Sequence, residues 1–197
     1  MKPLAIAITG GIASGKSFAA EIFAAKGDYV LDADNLVRQI YAKKEVQERL
    51  ASRVAGVVQA PHQGIDFAAL RQAAIADNSL LDWLEGLLHP QVRAIYVEAL
   101  AGCQSECVVG VVPLLFEAAM EDLFDRVIAL SIDQPTQRDR VLARAGMNEN
   151  WLRLILSRQM QQQQRNSRAD LVVSGTLLFE QLQQLLLDTR QKWLRDC

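Results

Sequence analysis

The chain has 197 residues, half of them hydrophobic, and a formal net charge of −2 at pH 7. This length and apolar content predict one domain with insertions, or at most two domains. Both signs of charge are mixed along the chain, so it lacks the basic footprint of a nucleic-acid-binding protein, and we expect no nucleic-acid partner. The longest apolar stretch, residues 108–116, is interrupted by a glycine and a proline and is too short to span a membrane.

Cysteine usage and the N-terminus indicate the compartment. Cys103, Cys107 and Cys197 form neither an even set nor a zinc-ligand spacing, and the first two are expected to pack as small apolar residues near a strand start. An apolar run begins at residue 4, which leaves no room for a signal peptide. We therefore expect a reduced, cytoplasmic protein. We also expect it to be a monomer or a weak homo-oligomer.

Short apolar segments alternate with helical patterns. A strand is predicted over residues 4–8, followed by a helix over 16–26 that ends at Gly27. Four later strands are predicted over residues 29–31, 106–112, 126–130 and 170–173. A leucine-rich amphipathic helix follows the last strand, to about Trp193. The alternation predicts an α/β fold, with a five-stranded parallel sheet between two layers of helices.

The first strand leads into the motif G-x-x-x-x-G-K-S, the phosphate-binding loop of P-loop nucleotide-binding proteins. Its glycines allow backbone N–H groups to converge on a phosphate, and the next helix presents its N-terminal N–H groups to the same charge. Lys16 is expected to reach the β- and γ-phosphates, and the Ser17 hydroxyl to ligate Mg²⁺. The residues expected to contact the nucleotide are Gly10, Gly11, Ile12, Ala13, Ser14, Gly15, Lys16, Ser17 and Phe18.

Asp32 and Asp34 follow the second strand, at the sheet edge that faces the ligand crevice in open α/β sheets. A carboxylate there can accept the proton of an attacking hydroxyl or hold a water of the Mg²⁺ shell. The alternative is that Asp34 caps a helix over residues 35–42 while Asp32 ends the strand. Spacing alone does not separate the two, and Asp34 is the preferred candidate for catalysis and for Mg²⁺.

About seventy residues between the second and third strands have a helical pattern throughout. Asp66 is the expected N-cap of a helix over Phe67–Ala76, and Pro90 the expected first residue of a helix over residues 91–101. His89, just before that proline, is typical of a structural residue that bonds to backbone. After the third strand, Glu117 is expected to hold Mg²⁺ through water, to bind a basic residue, or to cap the next helix.

Two helices are predicted between the fourth and fifth strands, one opened by Asp133 and Pro135 and one running over residues 151–162. This stretch carries Arg138, Arg140, Arg144, Arg153, Arg158, Arg165 and Arg168. Arg140 and Arg144 are four residues apart, so one helix face would direct both at the same phosphoryl charge, or they would form only an exposed basic face. Together, the two helical insertions indicate a small-molecule kinase with an acceptor site and a lid.

Together these motifs resemble the dephospho-CoA kinases, which phosphorylate the ribose 3′-hydroxyl of dephospho-CoA. The resemblance is carried by residues 8–17, 32–34, 88–90, 112–117, 140, 144, 158–159 and 169–170. It implies a three-layer P-loop kinase fold, with ATP as donor, Mg²⁺ as cofactor and dephospho-CoA as acceptor. It also implies a nucleotide-binding core over residues 1–34, 102–133 and 168–197, a helical acceptor domain over 35–101 and a lid over 134–167.

Carried over by position, the resemblance gives Asp34 the role of catalytic carboxylate and Arg140 and Arg144 the role of lid arginines. Lys16 joins them in stabilising charge during a direct in-line transfer. His89 and Glu117 are placed with Asp34 in acceptor binding. Six positions depart from the family pattern: Ala13, Phe18, Lys43 and Lys44, Arg165 in place of a usual lysine, and Gly175 near a frequent asparagine.

Two other classes of protein fit part of the pattern. A P-loop kinase for a nucleoside monophosphate, shikimate or gluconate would also need a helical acceptor insertion. A switch GTPase would need an Asn-Lys-x-Asp element and an Asp-x-x-Gly switch, and neither occurs in the sequence.

Overall fold

The computed structural model describes residues 2–58 and 64–196 and contains a five-stranded parallel sheet. The strands are β1 (Leu4–Gly10), β2 (Tyr29–Asp32), β3 (Cys107–Val111), β4 (Arg126–Ser131) and β5 (Leu171–Ser174), in the order β2-β3-β1-β4-β5. In the central strand, Ile6 lies opposite Val109 of β3 and Arg126 of β4. Every residue of β1 and β3 is buried, as expected for strands covered on both faces. The predicted fold class is confirmed.

Nine α-helices lie in the described residues. They are α1 (Lys16–Ala25), α2 (Ala33–Tyr41), α3 (Lys44–Arg53), α4 (Phe67–Ala76), α5 (Ser79–Gly102), α6 (Gln134–Leu142), α7 (Glu149–Arg158), α8 (Gln162–Ser167) and α9 (Phe179–Arg195). α1 and α9 pack on one face of the sheet around Phe23 and Leu186. The other face is covered by α2 and α5, where the Tyr96 hydroxyl donates to carbonyl oxygens of Leu31 and Val111.

The described residues of the first insertion, 35–58 and 64–101, form helices joined by loops and an isolated antiparallel bridge between Val58 and Ile65. Asp66 caps α4 as predicted, because its carboxylate accepts the N–H groups of Ala68 and Ala69 at 2.9 Å. Residues 59–63 lie outside the described part of the chain.

The prediction that a helix begins at Pro90 is wrong, because α5 runs without interruption from Ser79 to Gly102. An internal proline costs about 3 kcal/mol through the lost hydrogen bond and ring clash. Leucine, valine and tyrosine side chains before and after Pro90 are buried together, and each contributes about 1.5–3 kcal/mol. Packing of one continuous apolar stripe therefore outweighs the local preference of proline.

The second insertion, residues 134–167, contains three helices instead of the two predicted. Asp133 caps α6 as expected, accepting the Thr136 N–H at 2.9 Å. The helix predicted over residues 151–162 ends at Arg158, and α8 begins at Gln162. Gln159 between them has an extended backbone. The break is stabilised by contacts of Gln159 and Met160 with the core, which sequence periodicity does not report.

The cysteine prediction is confirmed in part. Cys107 opens β3 and is fully buried, while Cys103 is half-buried just after α5. Cys197 lies outside the described residues.

A buried ion pair joins α9 to the sheet. Arg190 donates to both carboxylate oxygens of Asp28, from Nε at 2.7 Å and from Nη2 at 2.5 Å, and the two side chains are 6% and 2% exposed. Such a bidentate pair fixes geometry as well as charge. Losing one partner would leave a desolvated charge behind.

We expect Arg190→Met to lower the free energy of unfolding by about 3–5 kcal/mol, because Asp28 would remain buried without its cation. Urea denaturation followed by circular dichroism measures the change. Lys192→Ala, at an exposed position of the same helix, is the matched control and should stay within about 0.5 kcal/mol of the parent. Equal stabilities for the two variants would contradict the importance of the pair.

Candidate active site

The phosphate-binding loop connects β1 to α1 and curls at its two ends. Gly10 and Gly15 have φ angles of 153° and 97°, so the glycines allow the predicted backbone path. Ala13, where the family more often has glycine, also lies in the left-handed region at φ 62°. α1 begins directly at Lys16, so its first N–H groups border the loop.

Lys16 is the central cation of this loop. Its Nζ donates to the carbonyl oxygens of Gly10 and Gly11, both at 2.9 Å. Burial lowers the pKa of Lys16 from 10.5 to about 8; the negative charge of Asp34 opposes this change, and the positive charge of nearby arginines adds to it. The positive charges of Lys16 and the nearby arginines together favour the binding of an anion.

The two carboxylates after β2 have separate roles in the structure. Asp32 is the N-cap of α2, since its Oδ1 accepts the N–H groups of Asp34 at 2.8 Å and Asn35 at 3.3 Å. α2 begins at Ala33, so the alternative that Asp34 caps a helix from residue 35 is wrong. Asp34 lies in the first turn, and its side chain lines the cleft beside the phosphate-binding loop.

The pKa of the Asp34 carboxyl is raised above its usual value. Surrounding protein and the charge of Asp32 raise it, while Lys16 and Arg38 partly counteract the effect. A carboxylate with a raised pKa is a stronger proton acceptor, as a general base requires.

A cleft of about 750 Å³ lies above the loop. The loop and the first turn of α1 form one side, Asp34 and Arg38 of α2 a second, and Leu81 and Glu85 of α5 a third. The second insertion closes the remaining side with Arg144, Met147, Trp151, Leu154, Ile155, Arg158 and Gln159. This volume is typical of a small-molecule site, and its walls come from all three parts of the chain.

Arg140 and Arg144 do not share a helix face, contrary to the sequence prediction. α6 ends at Leu142, so Arg144 lies beyond its C-terminus and lines the cleft. Nη1 of Arg140 donates to two carbonyl oxygens, of Ala13 at 3.3 Å and Gly175 at 3.0 Å. Arg144 therefore lies on the cleft side of the loop, and Arg140 contacts its backbone.

Arg158 joins the second insertion to the first. Its guanidinium pairs with Asp82 and donates to the Asn78 carbonyl oxygen at 2.9 Å. A parallel contact is made by Arg71 of α4, which lies 5.5 Å from the ring centre of Trp151. α7 is thus held against α4 and α5 and forms a wall of the cleft.

Neither Glu117 nor His89 is among the residues that line the cleft. Glu117 accepts the N–H of Met160, at the break between α7 and α8, and its charge raises the pKa of the buried Arg165 against the larger lowering effect of burial. Residues 113–119 form turns, so Glu117 caps no helix there. His89 is half-buried inside α5 and is not among the residues that line the cleft.

Gly175 packs directly on the phosphate-binding loop. Its N–H donates to the Ser131 carbonyl oxygen at 2.7 Å, and a Cβ added to it would overlap the carbonyl oxygen of Ser14. The asparagine frequent in the family therefore does not fit this backbone without a shift of the loop. Glycine at position 175, in place of the frequent asparagine, thus allows the chain to pack closely against the loop.

Three side chains near the loop were not assigned a role from the sequence. Gln137 and Gln159 both form hydrogen bonds with the backbone of Ile12, and Arg165 is buried beside Gly11. Sequence separations of 125 and 147 residues leave no local pattern for such contacts. Only the Arg158-Gln159 pair, part of the family resemblance, pointed to this region.

A family model described as dephospho-CoA kinase matches residues 4–178. The chain belongs to the dephospho-CoA kinase family. It is 37% identical over 171 residues to the dephospho-CoA kinase of Cereibacter sphaeroides, covering 86% of this chain and 85% of that protein. It is 34% identical over 193 residues to that of Vibrio vulnificus, covering 97% and 96%. Membership makes the chain an ATP-dependent phosphotransferase, and the resemblance drawn from the sequence is confirmed.

Solved structures agree on the fold. The crystal structure of TT1252 from Thermus thermophilus has a TM-score of 0.78 at 30% identity, with 98% of both chains covered. The dephospho-CoA kinase from Campylobacter jejuni has a TM-score of 0.70 at 22% identity, again with 98% of both covered. At 12% identity, a shikimate kinase from Bacteroides thetaiotaomicron, with 95% of this chain and 98% of that one covered and a TM-score of 0.57, shares the fold alone. Within the described residues, every helix is too short or too polar to cross a bilayer.

The pKa of Lys16 predicts an alkaline limit for nucleotide binding. As the pH rises through about 8 the free protein loses the ammonium proton, so the affinity for MgATP should then fall by up to about tenfold per pH unit. Titration of MgATP at a series of pH values measures this decline. Lys16→Met has no ammonium to lose, so it should bind MgATP weakly and its affinity should not decline with rising pH. A parent affinity that stays constant to about pH 9.5 would contradict the role of Lys16.

Proposed function

We propose that the chain transfers the γ-phosphoryl group of ATP to the ribose 3′-hydroxyl of dephospho-CoA, giving coenzyme A and ADP by direct in-line transfer. The observation that carries the proposal is the single cleft shared by the phosphate-binding loop, Asp34 and Arg144, in a chain of this family. Phosphoryl transfer depends mainly on positioning and electrostatic stabilisation, and this cleft offers both.

Four charged groups in or beside the cleft have a role in the proposal. Lys16 and the loop N–H groups hold the β- and γ-phosphates, and Arg144 stabilises the charge that spreads over the transferring group. Asp34 orients the acceptor hydroxyl and accepts its proton late in the reaction. Arg140 contributes through its contacts with the loop backbone and with Gly175.

Mg²⁺ is the metal that the donor set fits. The Ser17 hydroxyl and the Asp34 carboxylate line the same cleft and are both hard oxygen donors. Magnesium is usually held by one or two protein oxygens together with substrate phosphates, and these two side chains can supply the protein oxygens. When bound, it would neutralise phosphate charge; Ser17 and Asp34 are the residues proposed to hold it.

The three parts of the chain divide the work in this proposal. The core, residues 1–34, 102–133 and 168–197, binds ATP, and the first insertion, residues 35–101, supplies the acceptor wall through Leu81 and Glu85 of α5. The second insertion, residues 134–167, is the lid that excludes water from the cleft. His89, inside α5, acts on acceptor binding through the position of that helix and not by contact with the cleft.

The test of the substrate is ADP release from MgATP with dephospho-CoA, AMP, shikimate and gluconate offered separately. We expect turnover with dephospho-CoA alone and a product with the mass of coenzyme A. Turnover with only one of the other acceptors would leave the fold intact and overturn the substrate.

Asp34→Asn tests the catalytic carboxylate. We expect turnover to fall by roughly 10²–10⁴-fold while the affinity for MgATP changes little, because the amide oxygen can still ligate Mg²⁺ and orient a hydroxyl but cannot accept its proton. Single-turnover kinetics and a separate MgATP titration measure the two quantities. Lys16→Ala should damage both of them, and Asp139→Asn, at an exposed position of α6, should change neither. Turnover of Asp34→Asn within a few-fold of the parent would remove Asp34 from the mechanism.

A further inference from the structure

Two glutamines from opposite ends of the second insertion hold one residue of the phosphate-binding loop. The Ile12 N–H donates to Oε1 of Gln159 at 3.1 Å, and Nε2 of Gln137 donates to the Ile12 carbonyl oxygen at 2.9 Å. Gln137 lies on α6 with only 9% of its surface exposed, and Gln159 follows the end of α7. We infer that Gln137 and Gln159 are positioning residues that fix the loop in its phosphate-binding conformation.

The residue after Ile12 explains why this loop needs such support. Ala13 adopts φ 62°, a left-handed conformation that glycine takes freely and that a residue with a Cβ disfavours. Without contacts from outside the loop, its conformational energy would fall if Ala13 rotated out of the left-handed region. The glutamine bonds to Ile12, together with the bond from Arg140 to the Ala13 carbonyl oxygen, hold the peptide groups on both sides of it.

The doubled glycine of the motif fits the same arrangement. A Cβ on Gly11 would lie 2.5 Å from Nε2 of Gln137 and 3.7 Å from Oε1 of Gln159. A Cβ at this position would therefore displace the Gln137 amide, whereas Gln159 lies at ordinary van der Waals distance. Gly11 therefore leaves room for the contact with the second insertion as well as for the approach of a phosphate.

The two hydrogen bonds run in opposite directions, and this gives the inference a distinctive test. A backbone N–H can only donate, so position 159 must present an acceptor; a backbone carbonyl can only accept, so position 137 must present a donor. Glutamate keeps the shape of glutamine and accepts but does not donate when ionised. It should therefore replace Gln159 and fail to replace Gln137.

The inference rests on the loop being the phosphate site of the proposed function. Gln159→Ala and Gln137→Ala should each raise the Kd for MgATP about tenfold, because a half-buried backbone group loses its partner and the loop loses its restraint. The KM for dephospho-CoA should stay within about twofold, since neither glutamine is offered as an acceptor ligand. Gln159→Glu should bind MgATP more tightly than Gln159→Ala even though its added charge opposes the phosphates, and Gln137→Glu should bind no more tightly than Gln137→Ala.

MgATP titration of the full chain gives the Kd values, steady-state kinetics gives the KM, and urea denaturation confirms that each variant is folded. Gln164→Ala, at an exposed glutamine of α8, is the matched control and should behave as the parent. Unchanged MgATP binding in both alanine variants would overturn the inference, as would equal binding by Gln159→Glu and Gln159→Ala. Lys16→Ala separates the two hypotheses: if it too binds MgATP normally, the proposed phosphate site itself has failed.

Discussion

The desolvated ammonium of Lys16 is the group on which the rest of the site depends. Its Nζ donates to the carbonyl oxygens of Gly10 and Gly11, so the loop backbone must fold around the Lys16 side chain. Its lowered pKa shows that burial disfavours the charged ammonium, and the positive charges of Arg144 and Arg165 disfavour it further. The phosphates of ATP bring the negative charge that such a cluster lacks. Asp34 supplies only part of it, so the site favours the triphosphate over an uncharged ligand.

The order of the strands brings the charged groups together. β1 lies between β3 and β4, and β2 lies beyond β3. Parallel strands end at one edge of the sheet, so the phosphate-binding loop after β1, Asp34 after β2, and Pro113 and Leu114 after β3 meet there. The second insertion leaves from the end of β4, directly beside the loop.

The sequence predicted the features that local physics decides. Strand positions, the helix after the loop, and the caps at Asp66 and Asp133 follow from residues next to one another, and these agree with the structure. Predictions failed where distant packing decides: a buried apolar stripe carries α5 through Pro90, and core contacts break the helix predicted over residues 151–162. The glutamine contacts with Ile12 belong to the same class, since no spacing rule links residues more than a hundred positions apart.

The second insertion is attached on two sides, and this limits how the cleft can open. Gln137 and Arg140 near its start and Gln159 near its end hold the loop of the core. Between them, Arg158 and Trp151 hold α7 to the helices of the first insertion. A movement that separates α7 from the first insertion must break the ion pair of Arg158 with Asp82, which as a partly exposed pair is worth about 0–1 kcal/mol, and the packing of Trp151 and Leu154. The bonds at the loop are half-buried and act on the backbone that positions phosphate, so opening on the acceptor side can occur while the loop keeps its conformation.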